Sequence, residues 1–134
     1  MVKKPLKDIL DTNILISALV FGGKPEQIYN LVLEKQVLAV TSIVLIAELL
    51  EILTKKFHFE QNKIKQLENI IRKHFLIVQP KNTLNIVRDE DDNRVLEAAI
   101  EGKCQYIITG DKDLLDLESY EDIKILPVEL FLNP

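Results

Sequence analysis

Short apolar runs separated by longer amphipathic stretches dominate this sequence. The run over residues 37–41 has the continuous apolar character of a buried parallel strand, and five runs in all are predicted as strands. They cover residues 7–11, 37–41, 75–78, 105–109 and 123–126. Because helix-length segments lie between most of these runs, the pattern predicts a mostly parallel sheet with helices on both faces.

The intervening segments carry helical signals. Apolar residues recur at helical spacing over residues 13–20, 25–35, 43–56, 60–74 and 92–101. Pro25 suits a first helical position, and Gly102 predicts a helix end. A helical turn is expected over 114–117, and a turn or short helix over 127–132. We predict an α/β fold, a three-layer α/β/α sandwich with about five strands, as one domain over residues 1–134.

Acidic and polar residues follow the ends of predicted strands. Sheets of this kind place their sites beyond the carboxyl ends of the strands, and Asp11, Ser42 and Asp111 all follow such ends. Asp11 could instead cap the next helix, and Asp111 could be a turn residue. Asp8, near the start of the first strand, is expected to be solvated.

Glu48 lies in an unusually apolar helix. Nine of the eleven residues from 43 to 53 are apolar, and a helix that is apolar nearly all round is expected to be largely buried. Glu51 can pair with Lys55 four residues on, whereas Glu48 has no cation at that spacing. A buried carboxylate is costly unless it is paired or binds a metal. The alternative is that Glu48 extends to the edge of the sheet.

One member of an acidic run is expected to face inward. The acids over residues 89–92 have an alternative explanation, because acidic residues near a helix N-terminus interact favourably with the helix dipole. At about 100° per residue, Asp92 falls on the face that carries Val95 and Leu96, whereas Asp91 points to the flank. Asp89 lies too far before the helix for this argument. Asp92 is therefore the predicted site residue.

Composition restricts the possible functions only modestly. The net charge of −4 disfavours a dedicated duplex-DNA binder, although acids clustered around a cation would account for much of it. The single cysteine, Cys104, excludes an internal disulfide and a Cys-rich zinc site, and it is expected in the core. With no secretory signal and no apolar run of about 18 residues, we expect a cytoplasmic protein without membrane contact.

The predicted acids form a set suited to a hard metal ion. Asp113 is a further candidate, either as a second ligand or as a helix cap. Oxygen ligands without Cys or His favour Mg²⁺ or Mn²⁺, and clustered carboxylates repel one another unless a cation intervenes. Such a site can activate water for phosphodiester cleavage. No Ser-His-Asp set and no phosphate-binding glycine loop is evident.

Four motifs, in this order and at this spacing, resemble the PIN domain, in particular the VapC-like toxins of toxin–antitoxin pairs. They are Asp11-Thr12-Asn13, Ala47-Glu48-Leu49, Asp91-Asp92-Asn93 before Leu96-Glu97-Ala98-Ala99, and Thr109-Gly110-Asp111-Lys112-Asp113-Leu114. The resemblance implies an α/β/α sandwich and a Mg²⁺- or Mn²⁺-dependent endoribonuclease with an acidic site. It also implies an RNA substrate, an antitoxin protein as a partner and a homodimer.

The same resemblance assigns roles to individual residues. The implied metal ligands and catalytic acids are Asp11, Glu48, Asp92 and Asp111, with Asp113 as an auxiliary ligand. Asn13 and Thr109 would position water or a ligand carboxylate, with Ser42 as a further supporting residue. Candidates for substrate contacts are Lys24, Lys55 and Lys112, and with them Lys56, Arg72 and Lys73, although the sequence favours a solvated surface cation at each of these positions.

Three other functions compete with this one. The first is a non-catalytic interaction module that keeps the acids only as a metal-stabilised scaffold. A phosphotransfer receiver is disfavoured because the third predicted strand runs into Val78-Gln79-Pro80 without an aspartate. A haloacid-dehalogenase-like phosphatase is disfavoured because Asn13 stands where that class needs a second acid.

Overall fold

The structure is a computed structural model that describes residues 6–133. The strands are β1 (Leu6–Leu10), β2 (Val37–Ser42), β3 (Leu76–Val78), β4 (Tyr106–Ile108), β5 (Ser119–Tyr120) and β6 (Ile123–Leu126). The helices are α1 (Thr12–Val20), α2 (Gly23–Leu33), α3 (Ile43–Lys55), α4 (Gln61–His74), α5 (Glu90–Glu101), α6 (Lys112–Leu115) and α7 (Val128–Leu132). Over residues 6–133, no helix combines the length and the apolar character needed to cross a lipid bilayer.

The six strands form one sheet in the order β3-β2-β1-β4-β6-β5, and all neighbours are parallel except β5 and β6. The predicted α/β sandwich with a mostly parallel sheet is confirmed. The sequence did not predict β5, because two residues are too few to show an alternating pattern. The predicted domain limits of 1 and 134 lie outside the described residues.

The sheet separates two apolar cores. Because successive strand residues face opposite sides, Leu10 joins a cluster with α1, α2, α4 and α7, whereas Ile9 joins a cluster beneath α5. Both clusters contain side chains that are fully buried, such as Ile28 in the first and Leu96 in the second. The two cores pack the sheet between layers of helices.

The topology brings Asp11 and Thr109 side by side. Strand β1 lies between β2 and β4, and Leu10 is in register with Ile108. The chain builds β2 and β3 on one side of β1 and then crosses to β4 on the other, which makes the β1–β4 junction a topological switch point. The backbone N–H of Asp11 donates to the Ile108 carbonyl at 3.0 Å. A crevice for a ligand is therefore expected at this junction.

The expectation that Asp8 is solvated is wrong. The side chain is fully buried, because β1 is paired on both sides and Asp8 lies between Ala39 and Tyr106. Neither carboxylate oxygen has a hydrogen-bond partner among residues 6–133. Burial raises the pKa of Asp8 to about 8.

Helix α3 is less buried than its sequence predicts. It packs against α1, α4 and β2, but Ile43 and Val44 in its first turn are 54% and 58% exposed. The apolar run has no polar stripe, so its pattern does not show which side faces the solvent. The prediction that the helix is largely buried is therefore wrong for this turn.

Gly102 ends α5 as predicted, but for a different reason. Its φ of −80° is ordinary for any residue, so the left-handed conformation that favours glycine at helix ends is not used. A Cβ atom at this position would lie 2.7 Å from Cγ1 of Val40 on β2. Glycine therefore allows the end of α5 to approach the sheet closely.

Candidate metal centre

Asp11 is held at the β1–β4 junction by Thr109. The Asp11 side chain is buried, and although Asp11 precedes α1, it makes no side-chain capping bond within the described chain. Its Oδ2 instead accepts a hydrogen bond from the Thr109 hydroxyl at 2.7 Å. That hydroxyl oxygen also accepts the backbone N–H of Asp111 at 2.9 Å. One buried threonine therefore fixes two of the predicted acids.

Three acids offer oxygen atoms that all lie within 4.8 Å of one another, namely Asp89, Asp92 and Asp111. Asp89 is the N-cap of α5 and accepts the N–H of Asp91 at 2.8 Å. Asp111 is the N-cap of α6 and accepts the N–H of Asp113 at 2.9 Å. Capping thus anchors two of these acids, and we call the three of them the acid triad.

Asp92 is the member of the triad that most needs a positive charge. Its side chain is 5% exposed, and within the described residues its Oδ2 is buried without a hydrogen-bond partner. Burial raises the pKa of Asp92 to about 8, and contact with Asp111 and the charge of Asp11 act in the same direction. A buried carboxylate oxygen among other acids is stabilised by a cation.

Glu48 lies beside the triad and next to another acid. The Thr12 hydroxyl contacts its half-buried carboxylate, as does the side chain of Asp91. Burial raises the pKa of Glu48 to about 7, with further contributions from Asp91 and Asp11. The Glu48–Asp91 pair therefore forms a second concentration of negative charge.

Asp11 connects these two groups electrostatically. Its charge raises the pKa of both Glu48 and Asp92. Burial raises the pKa of Asp11 itself, while the Thr109 hydrogen bond and nearby backbone N–H groups of Asn13 and Thr12 lower it. Asp11 is therefore the acid whose charge acts on both Glu48 and Asp92.

The structure brings Asp11, Asp92 and Asp111 together and places Glu48 next to them. Ser42 lies at the end of β2 and caps α3 by accepting the N–H of Leu45 at 3.3 Å. The exposed Asn13 contributes its backbone N–H near Asp11.

Asp113 is engaged in a contact that the sequence did not predict. Its two carboxylate oxygens lie 3.0 and 3.3 Å from Nη2 of Arg88. This pair joins the segment before α5 to α6, and it occupies the oxygens that a metal ligand would use. The pair puts an arginine at the rim of the acidic site.

Sequence reasoning missed Asp89 as well as Arg88. Asp89 precedes α5, so the helical periodicity of the sequence does not predict which way it faces. Its signal was of another kind, since aspartate is a preferred N-cap immediately before a helix. Arg88 carries no comparable signal, because its partner is distant in the sequence.

The predicted substrate cations lie at the surface. Lys55 pairs with Glu51 at 2.9 Å, as the sequence predicted, and Lys112 pairs with Asp116 at 2.8 Å. Lys24 is exposed at the start of α2. Lys55 and Lys56 border a hollow of about 510 Å³ that Glu48 and Asp91 also line. Cations and acids therefore share this side of α3.

The donor atoms of the site fit a hard divalent cation. All of them are carboxylate oxygens at a spacing that one ion can bridge, and oxygen ligands are those that Mg²⁺ and Mn²⁺ prefer. The buried Oδ2 of Asp92 is the structural reason to expect a cation, because no hydrogen bond within the described residues offsets the cost of burying it.

Comparison with known proteins identifies the family. Residues 7–113 match the model of the PIN domain. Uncharacterized protein MJ1680 of Methanocaldococcus jannaschii is 35% identical over 122 residues, which cover 87% of this chain and 78% of that protein.

Two solved structures share the fold. One is VapBC2 from Rickettsia felis bound to a DNA fragment from its promoter, with a TM-score of 0.64 and 14% identity over 91% of this chain and 98% of the other. The PIN domain endonuclease Utp24 has a TM-score of 0.55 and 20% identity over 93% of this chain and 86% of the other. With the family match over most of its length, this chain belongs to the PIN domain family.

Proposed function

We propose that this protein is a metal-dependent endoribonuclease that hydrolyses phosphodiester bonds of RNA with Mg²⁺ or Mn²⁺. The observation that carries the proposal is the acid triad with its buried, uncompensated Asp92 oxygen. Membership of the PIN domain family supports nuclease activity at this cluster. The choice of RNA rests on the resemblance to VapC-like toxins.

Asp92, Asp111 and Asp89 are the proposed ligands, with Asp11 and Glu48 completing the site. A bound ion would supply positive charge to the phosphate and lower the pKa of the attacking water. The Thr109 hydroxyl fixes the carboxylate of Asp11 and the backbone N–H of Asp111. Such preorganisation reduces the rearrangement that binding requires.

Glu48 is the group proposed to accept the proton of the attacking water. It lies outside the triad, and the nearby Thr12 hydroxyl favours its charged form. Arg88, which is 89% exposed in its pair with Asp113, is available to contact a phosphate at the rim. Asp113 would then act as an auxiliary residue that holds the arginine.

The protein is further proposed to be the toxin of a toxin–antitoxin pair. The shared fold with VapBC2 supports this part of the proposal. It includes an antitoxin protein as a partner, a homodimer as the active form and action in the cytoplasm. Co-purification of the protein with the product of an adjacent reading frame tests the pairing.

The catalytic proposal is tested with purified protein and end-labelled RNA, with and without Mn²⁺. Asp11→Asn and Asp92→Asn are expected to abolish cleavage, whereas the matched control Asp122→Asn, which changes an exposed acid, retains it. Persistent cleavage in both site variants would overturn the site assignment. Metal-dependent melting without cleavage of any RNA would favour the scaffold alternative.

A further inference from the structure

A second hollow lies beside the acidic site, at the opposite end of the exposed side of α3 from Lys55. It encloses about 410 Å³ between the first turn of α3, residues 78–83 and α5. Val44 lines both this hollow and the one that contains Glu48 and Asp91. A single strand that passes the acids would therefore reach it. We call it the α3–α5 hollow.

One wall of the α3–α5 hollow is apolar. Ile43 and Val44 belong to it, and both are more than half exposed. Pro80 adds a further apolar surface from the segment after β3. Exposed β-branched side chains grouped around a hollow mark a binding surface more often than isolated ones do.

The other wall carries a fixed ion pair. Glu97 is 8% exposed, and its Oε2 lies 2.7 Å from Nη2 of Arg94 and 2.7 Å from the backbone N–H of Leu84. The Arg94 guanidinium also donates to the Leu84 carbonyl at 3.1 Å. Because both contacts of Glu97 use Oε2, its Oε1 remains available to a donor. In the described part of the chain, the buried Nε of Arg94 has no acceptor.

We propose that the α3–α5 hollow binds the base of one unpaired nucleotide of the substrate, close to the cleaved phosphate. The inference rests on the proposed nuclease function and specifies its substrate. The volume lies in the range of small-ligand pockets, and an apolar wall facing hydrogen-bonding groups suits a flat, polar-edged base. Only an unpaired base can enter, because pairing covers the edge that must be recognised.

The ion pair predicts which bases bind. A fixed carboxylate accepts hydrogen bonds from exocyclic amino groups, as glutamate does with cytosine. Adenine, cytosine and guanine carry such a group, and uracil does not. An apolar peptide side chain would cover Oε1 of Glu97 without offering it a hydrogen bond, which is costly. The hollow therefore favours an amino-bearing base over a segment of a partner protein.

The test measures binding without relying on cleavage. AMP, CMP, GMP and UMP are titrated into the protein in EDTA, while backbone amide shifts are followed by NMR. The amides of Val44 and Thr83 are expected to shift, and UMP is expected to bind about five- to tenfold more weakly than the other three. Val44→Ser should weaken binding about fivefold. The control Leu130→Ser, at a position 57% exposed, should not.

The outcomes separate this inference from the proposed function. Nucleotide-dependent shifts in a protein that cleaves no RNA would support the hollow and overturn the nuclease. Cleavage by a protein whose hollow amides do not respond would overturn the hollow alone. Equal binding of UMP would overturn the base preference. If Val44→Ser changes the oligomeric state but not nucleotide binding, the surface joins two copies of the chain and the inference fails.

Discussion

At the scale of single residues, two buried aspartates have different consequences. Asp92 lies among acids at the sheet edge, where a metal ion can compensate it. Asp8 lies inside β1, where burial alone raises its pKa to about 8. Within the described residues, its carboxylate oxygens have no hydrogen-bond partner to offset that cost. Asp8 therefore lowers the stability of the fold at neutral pH.

Asp8→Val is expected to stabilise the protein at pH 7.5 and to flatten its pH dependence. Since the pKa of Asp8 is higher in the folded chain than the ordinary 3.8, folding favours the protonated form. Wild-type stability should then fall as pH rises from about 4 to about 8, by at most about 1.4 kcal/mol per pH unit. Urea denaturation at several pH values measures this effect. Identical pH profiles for the two proteins would contradict it, and Asp122→Asn serves as the control.

Thr109→Val removes the hydroxyl that fixes Asp11 and Asp111 while keeping the volume of the side chain. We expect cleavage to fall about 10- to 100-fold, as when the hydrogen-bond partner of a metal ligand is lost. Thr109→Ser should restore most of the rate because it keeps the hydroxyl. Rates of RNA cleavage at saturating Mn²⁺ measure the effect. Equal rates for the valine and serine variants would show that the hydroxyl does not position the acids.

At the scale of elements, hydrophobic periodicity predicted most strands and helices, but it did not always predict which of their residues are buried. It placed Asp92 correctly because α5 has a distinct apolar face. It failed for Ile43 and Val44, because α3 is apolar on the side that faces solvent as well as on the side that packs. It also failed for Asp8, since the burial of a central strand depends on partners distant in the sequence.

Gly102→Ala tests the close approach of α5 to the sheet. The added Cβ would lie 2.7 and 2.9 Å from the two Cγ atoms of Val40, so the helix end must shift. We expect a loss of about 1–3 kcal/mol in unfolding free energy. Gly110→Ala is the matched control, because its Cβ would meet nothing within 4 Å. Equal losses for both variants in denaturant unfolding would refute a steric role for Gly102.

At the scale of the whole molecule, the acidic site couples metal binding to stability. A ligand that binds only the folded state raises its stability, and the gain grows with the logarithm of the ligand concentration once this exceeds the Kd. The site draws on α3, α5, β4 and the end of β1, so an ion would join elements from distant parts of the chain. The net charge of −4 is that of the metal-free chain, and a bound divalent cation would make it less negative.

Asp92→Asn is expected to raise the melting temperature of the metal-free protein and to remove most of the stabilisation that a bound metal ion gives. In EDTA at pH 8.5, it removes a buried and uncompensated carboxylate, so the melting temperature is expected to rise. With Mn²⁺, the wild type should gain about 5 °C or more, whereas the variant should gain little. Thermal melting with and without metal measures both effects. An equal metal-induced shift in wild type and variant would remove Asp92 from the ligand set.

The order of strands also has a consequence for the chain as it is synthesised. Strand β1 is made first, yet it lies between β2 and β4, and β4 begins only at Tyr106. A nascent chain that ends before that point lacks both Thr109 and Asp111, so Asp11 has no hydroxyl to orient it and the triad is incomplete. A nascent chain is therefore expected to be inactive on the ribosome until Thr109 and Asp111 have emerged, and the proposed RNA-cutting activity can begin only then.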